Sequence, residues 1–401
     1  MAQWRSGFSA WLAPVTVDAF RARWWDREPL LLQGRDPQLY DGLLDLDEVD
    51  RLLTGRGLCF PTFRLLKDGR VVPPESWTVP ELPWGTGAVT GFGKPDAVVQ
   101  HLQSGCTAVL EQVQRVVPTV ARLCRAFEEA LRCTTQANAY LTPPGSRGLT
   151  PHYDVQNVVV LQLHGAKRWR VHEARVERPL PSQPCAPGGC EPGALLFEAT
   201  LQPGDLLSLP RGFVHVADTQ DQLSLHLSLS ALPVTWMDVM QELVARCASD
   251  PRFREAVDID ISGPNDAEGP LADAFEARLD AMAELADLDD TLDALARRFV
   301  DTRLPLLGGM VEALDAPVSV TRDSRLRRRT GLIHRIEVEG DFVTLRFHGR
   351  FVRLPWHALE TARFVADGAA FCVRDVPGQL GDAERLALCR HLAQTGFLEP
   401  A

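Results

Sequence analysis

The sequence predicts an α+β chain built around a double-sheet jelly roll, and three observations predict it. Between residues 136 and 230 short apolar runs alternate with Gly/Pro turns, a pattern of many short strands. Inside that stretch stand Thr150-Pro151-His152-Tyr153-Asp154 and, further on, the turn-rich segment from Pro203 to His215. After Pro233 the apolar spacing changes to the 3-and-4 steps of helices.

Length and composition set the frame. The chain has 401 residues, 45% hydrophobic and 24% charged, enough for two or three domains with a sizeable core. No apolar run reaches ~18 residues, so no transmembrane helix is expected. Met1 to Gly7 lacks the layout of a secretory leader, and a cytoplasmic location is expected. The nine cysteines are scattered and odd in number, which argues for free thiols. Cys185 and Cys190 lie close, but no further ligands at zinc spacing accompany them. The net charge of −11 is local: residues 250–301 hold 15 acids and 5 bases, so the rest of the chain is close to neutral.

The elements follow in order. Residues 17–25 read as an amphipathic helix with Asp18 near its start, 27–33 as a short buried strand, and 45–53 as a second helix. Residues 60–95 are rich in Pro, Gly and Trp and read as loops with short strands. Residues 109–132 carry Val109, Val113, Val116, Val117, Val120, Leu123, Phe127 and Leu131 on one broad stripe and read as a helix. Strands are expected at 136–142, from His152 to Leu163, at 167–171, 195–197, 206–209, 214–217 and 223–230. Beyond Pro233, Leu285, Leu288, Leu292, Leu295 and Phe299 form a narrow heptad seam. The seam suits either a helix packed within its own domain or one paired with a second copy. Residues 322–353 hold nine Arg against four acids, and 333–338 and 342–347 read as a hairpin turning at Glu339-Gly340-Asp341. With a C-terminal helix at 382–398 this suggests a small winged-helix module. The basic excess is modest, so direct nucleic-acid binding is not expected.

The chemistry centres on His152, Asp154 and His215. Residues i and i+2 of an extended segment share a face, so His152 and Asp154 can grip one ion. His215 can complete the set of two imidazoles and one carboxylate that leaves open positions on non-haem Fe(II). If the co-substrate is 2-oxoglutarate, its distal carboxylate needs a cation. Lys167 follows a turn at Gly165 and shares a strand face with the buried-looking Trp169. Ser228 and Asn138 can add hydrogen bonds, and His226 shares a face with Ser228.

These segments, with Gly165-Ala166-Lys167-Arg168-Trp169, Ala217-Asp218-Thr219 and Asn138-Ala139-Tyr140-Leu141-Thr142-Pro143-Pro144-Gly145, resemble the JmjC-type oxygenases of the ribosomal oxygenase branch, within the cupin superfamily. The resemblance implies a JmjC jelly-roll catalytic domain (1–235), a helical dimerisation domain (236–310) and a winged-helix domain (311–401). It implies hydroxylation of a protein side chain dependent on Fe(II), 2-oxoglutarate and O₂, with arginine or histidine of a ribosomal protein as target. By the same resemblance His152, Asp154 and His215 bind iron. Lys167 binds the 2-oxoglutarate C5 carboxylate with support from Ser228. Asn138 and Tyr140 match pocket positions of the family, and His226, on the face of Ser228, is expected to line the pocket as well. The chain departs from the branch in a long Pro/Cys/Gly loop at 179–193. Three other readings stand beside this one: the same chemistry on a peptide or small natural product, a non-catalytic metal-binding cupin serving as a dimeric interaction protein, and a transcription factor with a winged helix and a sensory barrel.

Overall fold

The run Val158-Val159-Val160-Leu161 is apolar at every position because its strand is buried on both faces. Val159 and Leu161 enter a core shared with helices, while Val158 and Val160 enter a second core with Trp169, Val171 and Leu207. The structure, a computed structural model, describes residues 7–55, 58–80, 82–84, 87–186, 189–259, 261–262, 269–308 and 319–401. It divides into two units, Met1–Pro233 and Val234–Ala401.

The strands of the first unit are β1 (Leu30–Leu32), β2 (Phe63–Lys67), β3 (Arg70–Val71), β4 (Leu82–Trp84), β5 (Gly87–Val89), β6 (Thr107–Leu110), β7 (Thr134–Thr142), β8 (Asn157–His164), β9 (Lys167–Ala174), β10 (Leu195–Leu201), β11 (Leu206–Leu209), β12 (Phe213–Asp218) and β13 (Ser224–Leu232). One sheet runs β1-β11-β8-β13-β7-β6-β2-β3 and a smaller one runs β10-β9-β12. Chain neighbours β8 and β9 lie in different sheets, and Val158, Val160, Trp169, Val171, Leu201, Leu207 and Leu209 fill the space between the two. This is the expected jelly roll.

Two expected elements change. The segment from His152 to Leu163 is not one strand. His152 forms an isolated antiparallel bridge with His215, extending the small sheet by one pair, and β8 starts only at Asn157 in the large sheet. Residues 153–156 make the crossing between sheets, and that change of direction forbids a continuous strand. The stripe at 109–132 likewise splits. Thr107–Leu110 is strand β6, buried at every position, and the helix is Pro118–Leu131. Pro118 occupies the first turn, where its missing N–H costs nothing. Near the N-terminus the cap is Thr16, whose Oγ1 accepts from Ala19 N, and the helix passes into a π-turn at Phe20–Trp24.

The second unit begins with the helix Trp236–Cys247, capped by Thr235 and Asp238 in a reciprocal box. The expected heptad seam is broken. Leu285 ends the helix Pro270–Leu285, Asp287 caps the next helix, and Leu288–Asp301 carries the remaining positions. Of these Leu295 is buried while Leu288 and Leu292 are exposed. The C-terminal part holds the expected hairpin, β15 (His334–Glu339) with β16 (Phe342–Phe347), after a separate β14 (Arg325–Arg328). A strand not foreseen, β17 (Arg350–Pro355), extends the hairpin to three strands, and β18 (Phe371–Cys372) and β19 (Leu398–Pro400) flank β14. Buried Glu337 takes Arg335 at 3.0 Å and Arg346 at 3.4 Å, while Arg346 also reaches Asp301 on the helix at 3.0 Å. The boundary expected at 310/311 lies outside the described residues. No described helix is long and apolar enough to cross a membrane.

The turn joining β8 to β9 admits only glycine. Gly165 has φ +60°, and a Cβ there would stand 1.9 Å from the Leu223 carbonyl oxygen. We predict that Gly165→Ala lowers stability by at least about 1–3 kcal/mol, the usual cost of a strained backbone position. Thermal unfolding checks this, and an unchanged midpoint would refute the close approach.

Candidate metal centre and its cavity

The metal-type cluster is built by the backbone before any ion enters. His152 N donates to His215 O at 3.1 Å and His215 N donates to His152 O at 2.8 Å. This two-bond bridge sets the rings 4.5 Å apart. Gly212 N donates to Asp154 O at 2.9 Å, which ties the carboxylate-bearing residue to the turn before His215. The three candidate ligand atoms lie within 4.8 Å of one another, with His215 Nε2 3.6 Å from Asp154 Oδ2.

Each imidazole has its tautomer set by a carbonyl. His152 Nδ1 stands 2.8 Å from Thr150 O, and His215 Nδ1 stands 3.1 Å from Phe213 O. An Nδ1–H donated to a carbonyl leaves the Nε2 lone pair free for a metal, the second-shell arrangement of ligating histidines. Burial first, and then the neighbouring His152, push His215 down to about 4, so its ring is neutral at neutral pH. The donor set therefore fits a divalent ion with open positions.

The cluster opens on a cavity of about 350 Å³ whose floor is a polar row. Across β7 and β13 the lining pairs are Tyr140 with His226, Asn138 with Ser228 and Gln136 with Ser230, and the next pair, Thr142 with Ser224, is fully buried behind them. Lys167 closes one end. It is 4% exposed, and its Nζ donates to Thr142 Oγ1 at 2.9 Å. Among the described residues no carboxylate lies in ion-pair range of it. Burial brings its ammonium down to about 7, with Asp218 opposing weakly. Two further groups on the cavity wall, Trp169 Nε1 and His226 Nδ1, are buried without a hydrogen-bond partner among the described residues. His226 lies well below its ordinary range through burial and then the nearness of Lys167, so it is neutral. A buried ammonium beside a hydroxyl makes an end that fits an anion, and the two orphaned ring nitrogens line the same cavity.

All eight residues singled out in the sequence line this cavity, but not as one group. The sequence reading gathers Lys167, Asn138 and Ser228 around one carboxylate. The structure puts Thr142 beside Lys167 and leaves Asn138 four residues away along β7, about 13 Å at ~3.3 Å per residue. Ser228 stays with Asn138, its cross-strand partner. Asn138 Oδ1 accepts from Gln112 N at 2.9 Å, and its amide hydrogen-bonds the Tyr140 hydroxyl. Tyr140 stacks on His226 with centroids 4.8 Å apart, and burial raises its phenol, which stays protonated. Thr142 was missed although the period-2 rule places it on the face of Asn138 and Tyr140. The pair of Arg64 and Glu111, also lining the cavity, was missed because Arg64 lies in the stretch read as loops with short strands and Glu111 in the stretch read as a helix. On the other side of the ligands, Pro184, Cys185, Ala186 and Gly189 join His152, Tyr153 and Asp154 around a cavity of about 290 Å³, which places the long loop against the centre.

Comparison with known proteins agrees with this geometry. The JmjC domain family matches residues 109–239. Ribosomal oxygenase 1 of Gallus gallus is 32% identical over 316 residues, 74% of this chain and 51% of that protein. A protein of Culex quinquefasciatus named bifunctional lysine-specific demethylase and histidyl-hydroxylase NO66 is 29% identical over 334 residues, 76% of this chain and 48% of its own. The chain thus spans about half the length of the curated relatives it matches. The solved structure of YcfD, a ribosomal oxygenase from Escherichia coli in complex with cobalt and 2-oxoglutarate, superposes with a TM-score of 0.56 over 96% of this chain and 98% of that one, at 19% identity. The likeness of the fold thus runs through both units. The chain carries a JmjC domain at residues 109–239 and is similar to ribosomal oxygenases beyond it.

Proposed function

We propose that the protein is an Fe(II)- and 2-oxoglutarate-dependent oxygenase that hydroxylates a protein side chain, with histidine or arginine of a ribosomal protein as target. The observation that carries this is the pairing of a two-His-one-Asp cluster with a cavity that ends in a buried, carboxylate-free lysine. The names of the relatives support the choice of target. His152, Asp154 and His215 would hold the iron through two Nε2 atoms and one carboxylate oxygen. With O₂ and 2-oxoglutarate, iron held there supplies the oxidising power for inserting oxygen into a C–H bond. The chain's own residues do the rest. Lys167 and Thr142 hold the far carboxylate of the co-substrate. The Tyr140–His226 stack walls the middle and excludes water. Asn138 and Ser228, at the other end of the floor, face the incoming side chain. No residue need act as a general acid or base.

Three further parts of the reading rest on the second unit and the thiols. Trp236, Met240 and Val244 (i, i+4, i+8) form an exposed apolar stripe, and Leu271, Phe275 and Leu279 repeat it on the next helix. We assign these stripes to a homodimer, since unpaired faces of this size are a liability in water. The C-terminal part is read as a winged-helix-like module that does not bind nucleic acid directly. Arg322, Arg327, Arg329, Arg335 and Arg346 each already pair with a carboxylate. The nine free thiols fit a reducing compartment such as the cytoplasm.

Replacing His152, Asp154 or His215 by alanine should abolish succinate formation from 2-oxoglutarate while circular dichroism stays that of the parent. Full turnover in any one variant would remove that residue from the ligand set. In the parent, matching cellular ribosomal proteins from strains with and without this gene should reveal a peptide heavier by one oxygen atom, and no such difference would send the search to other substrates.

The co-substrate should bind with a pH signature. Lys167 is protonated below about 7 and neutral above it in the free protein. A dianion prefers the protonated form, so 2-oxoglutarate affinity should be flat below pH 7 and fall by up to tenfold per pH unit above it. Lys167→Arg keeps its charge throughout and should flatten the profile, and Lys167→Ala should weaken 2-oxoglutarate far more than it weakens the metal. A parent profile flat from pH 7 to 9 would move the anchor elsewhere.

The dimer should appear in light scattering as twice the chain mass of 44.3 kDa. Trp236→Glu together with Phe275→Glu should halve it. A monomer across a wide concentration range would dismiss the assignment.

A further inference from the structure

We infer that Asp26 is a positioning residue for the metal centre, acting through Arg211. This rests on the reading of His152, Asp154 and His215 as ligands. Asp26 lies in the N-terminal segment, far in sequence from all three. Arg211 belongs to the Pro210-Arg211-Gly212 turn between β11 and β12, four residues before His215.

The contact is a two-point grip. Arg211 Nε donates to Asp26 Oδ1 at 2.8 Å and Nη2 donates to Oδ2 at 3.1 Å. Arg211 is buried at 6% exposure, and its remaining contacts are also used: Nη1 donates to Pro179 O at 3.0 Å and the backbone N to Asn157 Oδ1 at 3.0 Å. A planar guanidinium held by a carboxylate, a carbonyl and a backbone tie has one position only. Asp26 itself has φ +57°, a conformation that L-residues adopt at a cost unless the surroundings fix it. Arg178 Nε donates to the Asp26 carbonyl at 3.2 Å, so both the carboxylate and the backbone of Asp26 are held.

The turn so fixed reaches two of the three ligands. The next residue, Gly212, donates its N–H to Asp154 O at 2.9 Å, and Arg175 N donates to Gly212 O at 2.9 Å. Gly212 has φ +90°, and a Cβ would stand 1.9 Å from Val176 O, so this turn cannot shift toward the loop that packs on it. From Gly212 the chain runs directly into β12, whose His215 forms the bridge to His152. The N-terminal segment grips the same stretch a second time: β1 pairs along β11, Leu30 with Ser208 through Leu32 with Leu206. Sliding this segment would move the height of the turn, and with it the spacing of Asp154 and His215.

The test is Co(II) binding to the full chain, followed by titration of visible absorption, on folded variants. The parent and an Arg23→Ala control, which removes an exposed pair with Glu28, should bind one Co(II) with equal affinity. Asp26→Ala and Arg211→Lys should each weaken Co(II) about tenfold, the lower end of what outer partners of metal ligands contribute, and should change the absorption of the bound ion. The double variant should be no worse than either single one, because both remove the same contact. Asp26→Asn, which keeps shape and one acceptor, should lose at least threefold and serves if the alanine variant does not fold. Co(II) affinity within twofold of the parent in folded Asp26→Asn or Asp26→Ala, with an unchanged spectrum, would overturn the inference and leave Asp26 a packing residue. A parent that binds no Co(II) would instead overturn the metal centre, and the inference with it.

Discussion

The structure depends on one backbone contact, the pair of hydrogen bonds between His152 and His215. It joins two segments far apart in the chain and sets both imidazoles on one side of the small sheet. The carbonyls of Thr150 and Phe213 then fix which nitrogen of each ring is left free for an ion. Ligand geometry is thus set by main-chain bonds, which cannot rotate away as side chains can. The local costs are visible around it, in a strand cut short at residue 157 and in glycines that no other residue can replace.

A second constraint follows from where the sheets place their polar residues. The barrel interior would ordinarily be apolar, and one side of it is, from Val158 to Leu209. The floor along β7 and β13 is polar instead, and it is graded: an ammonium with hydroxyls at one end, an aromatic stack in the middle, amides and hydroxyls at the other. A buried lysine without a carboxylate is a costly device for a scaffold. It is reasonable chemistry where an anion arrives, and this is the feature that favours the proposed oxygenase over an idle metal-binding barrel.

Much of this was legible in the sequence because it rests on short-range rules. The i, i+2 spacing of His152 and Asp154, the Gly/Pro turn before His215 and the period-2 row through Asn138 and Tyr140 survive folding unchanged. What failed was the reading of β-branched stripes. Val109, Val113 and Val116 fit a helical period, yet the buried Thr107–Leu110 pairs with β7 and β2, and only Pro118 marks the true helix start. The heptad seam failed for a related reason: the spacing held while Asp287 capped a new helix between its members. Contacts such as Asp26 with Arg211, or Lys167 with Thr142, join residues far apart in the chain and leave no local pattern to read. The resemblance to JmjC oxygenases singled out the candidate ligands and the lysine, but the separation of Lys167 from Asn138 and Ser228 needed the three-dimensional register.

The most direct test of the account is a crystal structure of the protein grown without oxygen with Mn(II) and 2-oxoglutarate. The account predicts one metal bound by Nε2 of His152, Nε2 of His215 and a carboxylate oxygen of Asp154, with the C5 carboxylate of 2-oxoglutarate on Lys167 Nζ and Thr142 Oγ1. A metal bound through Nδ1 of either histidine, or a C5 carboxylate seated at Asn138 and Ser228 with Lys167 unengaged, would contradict it.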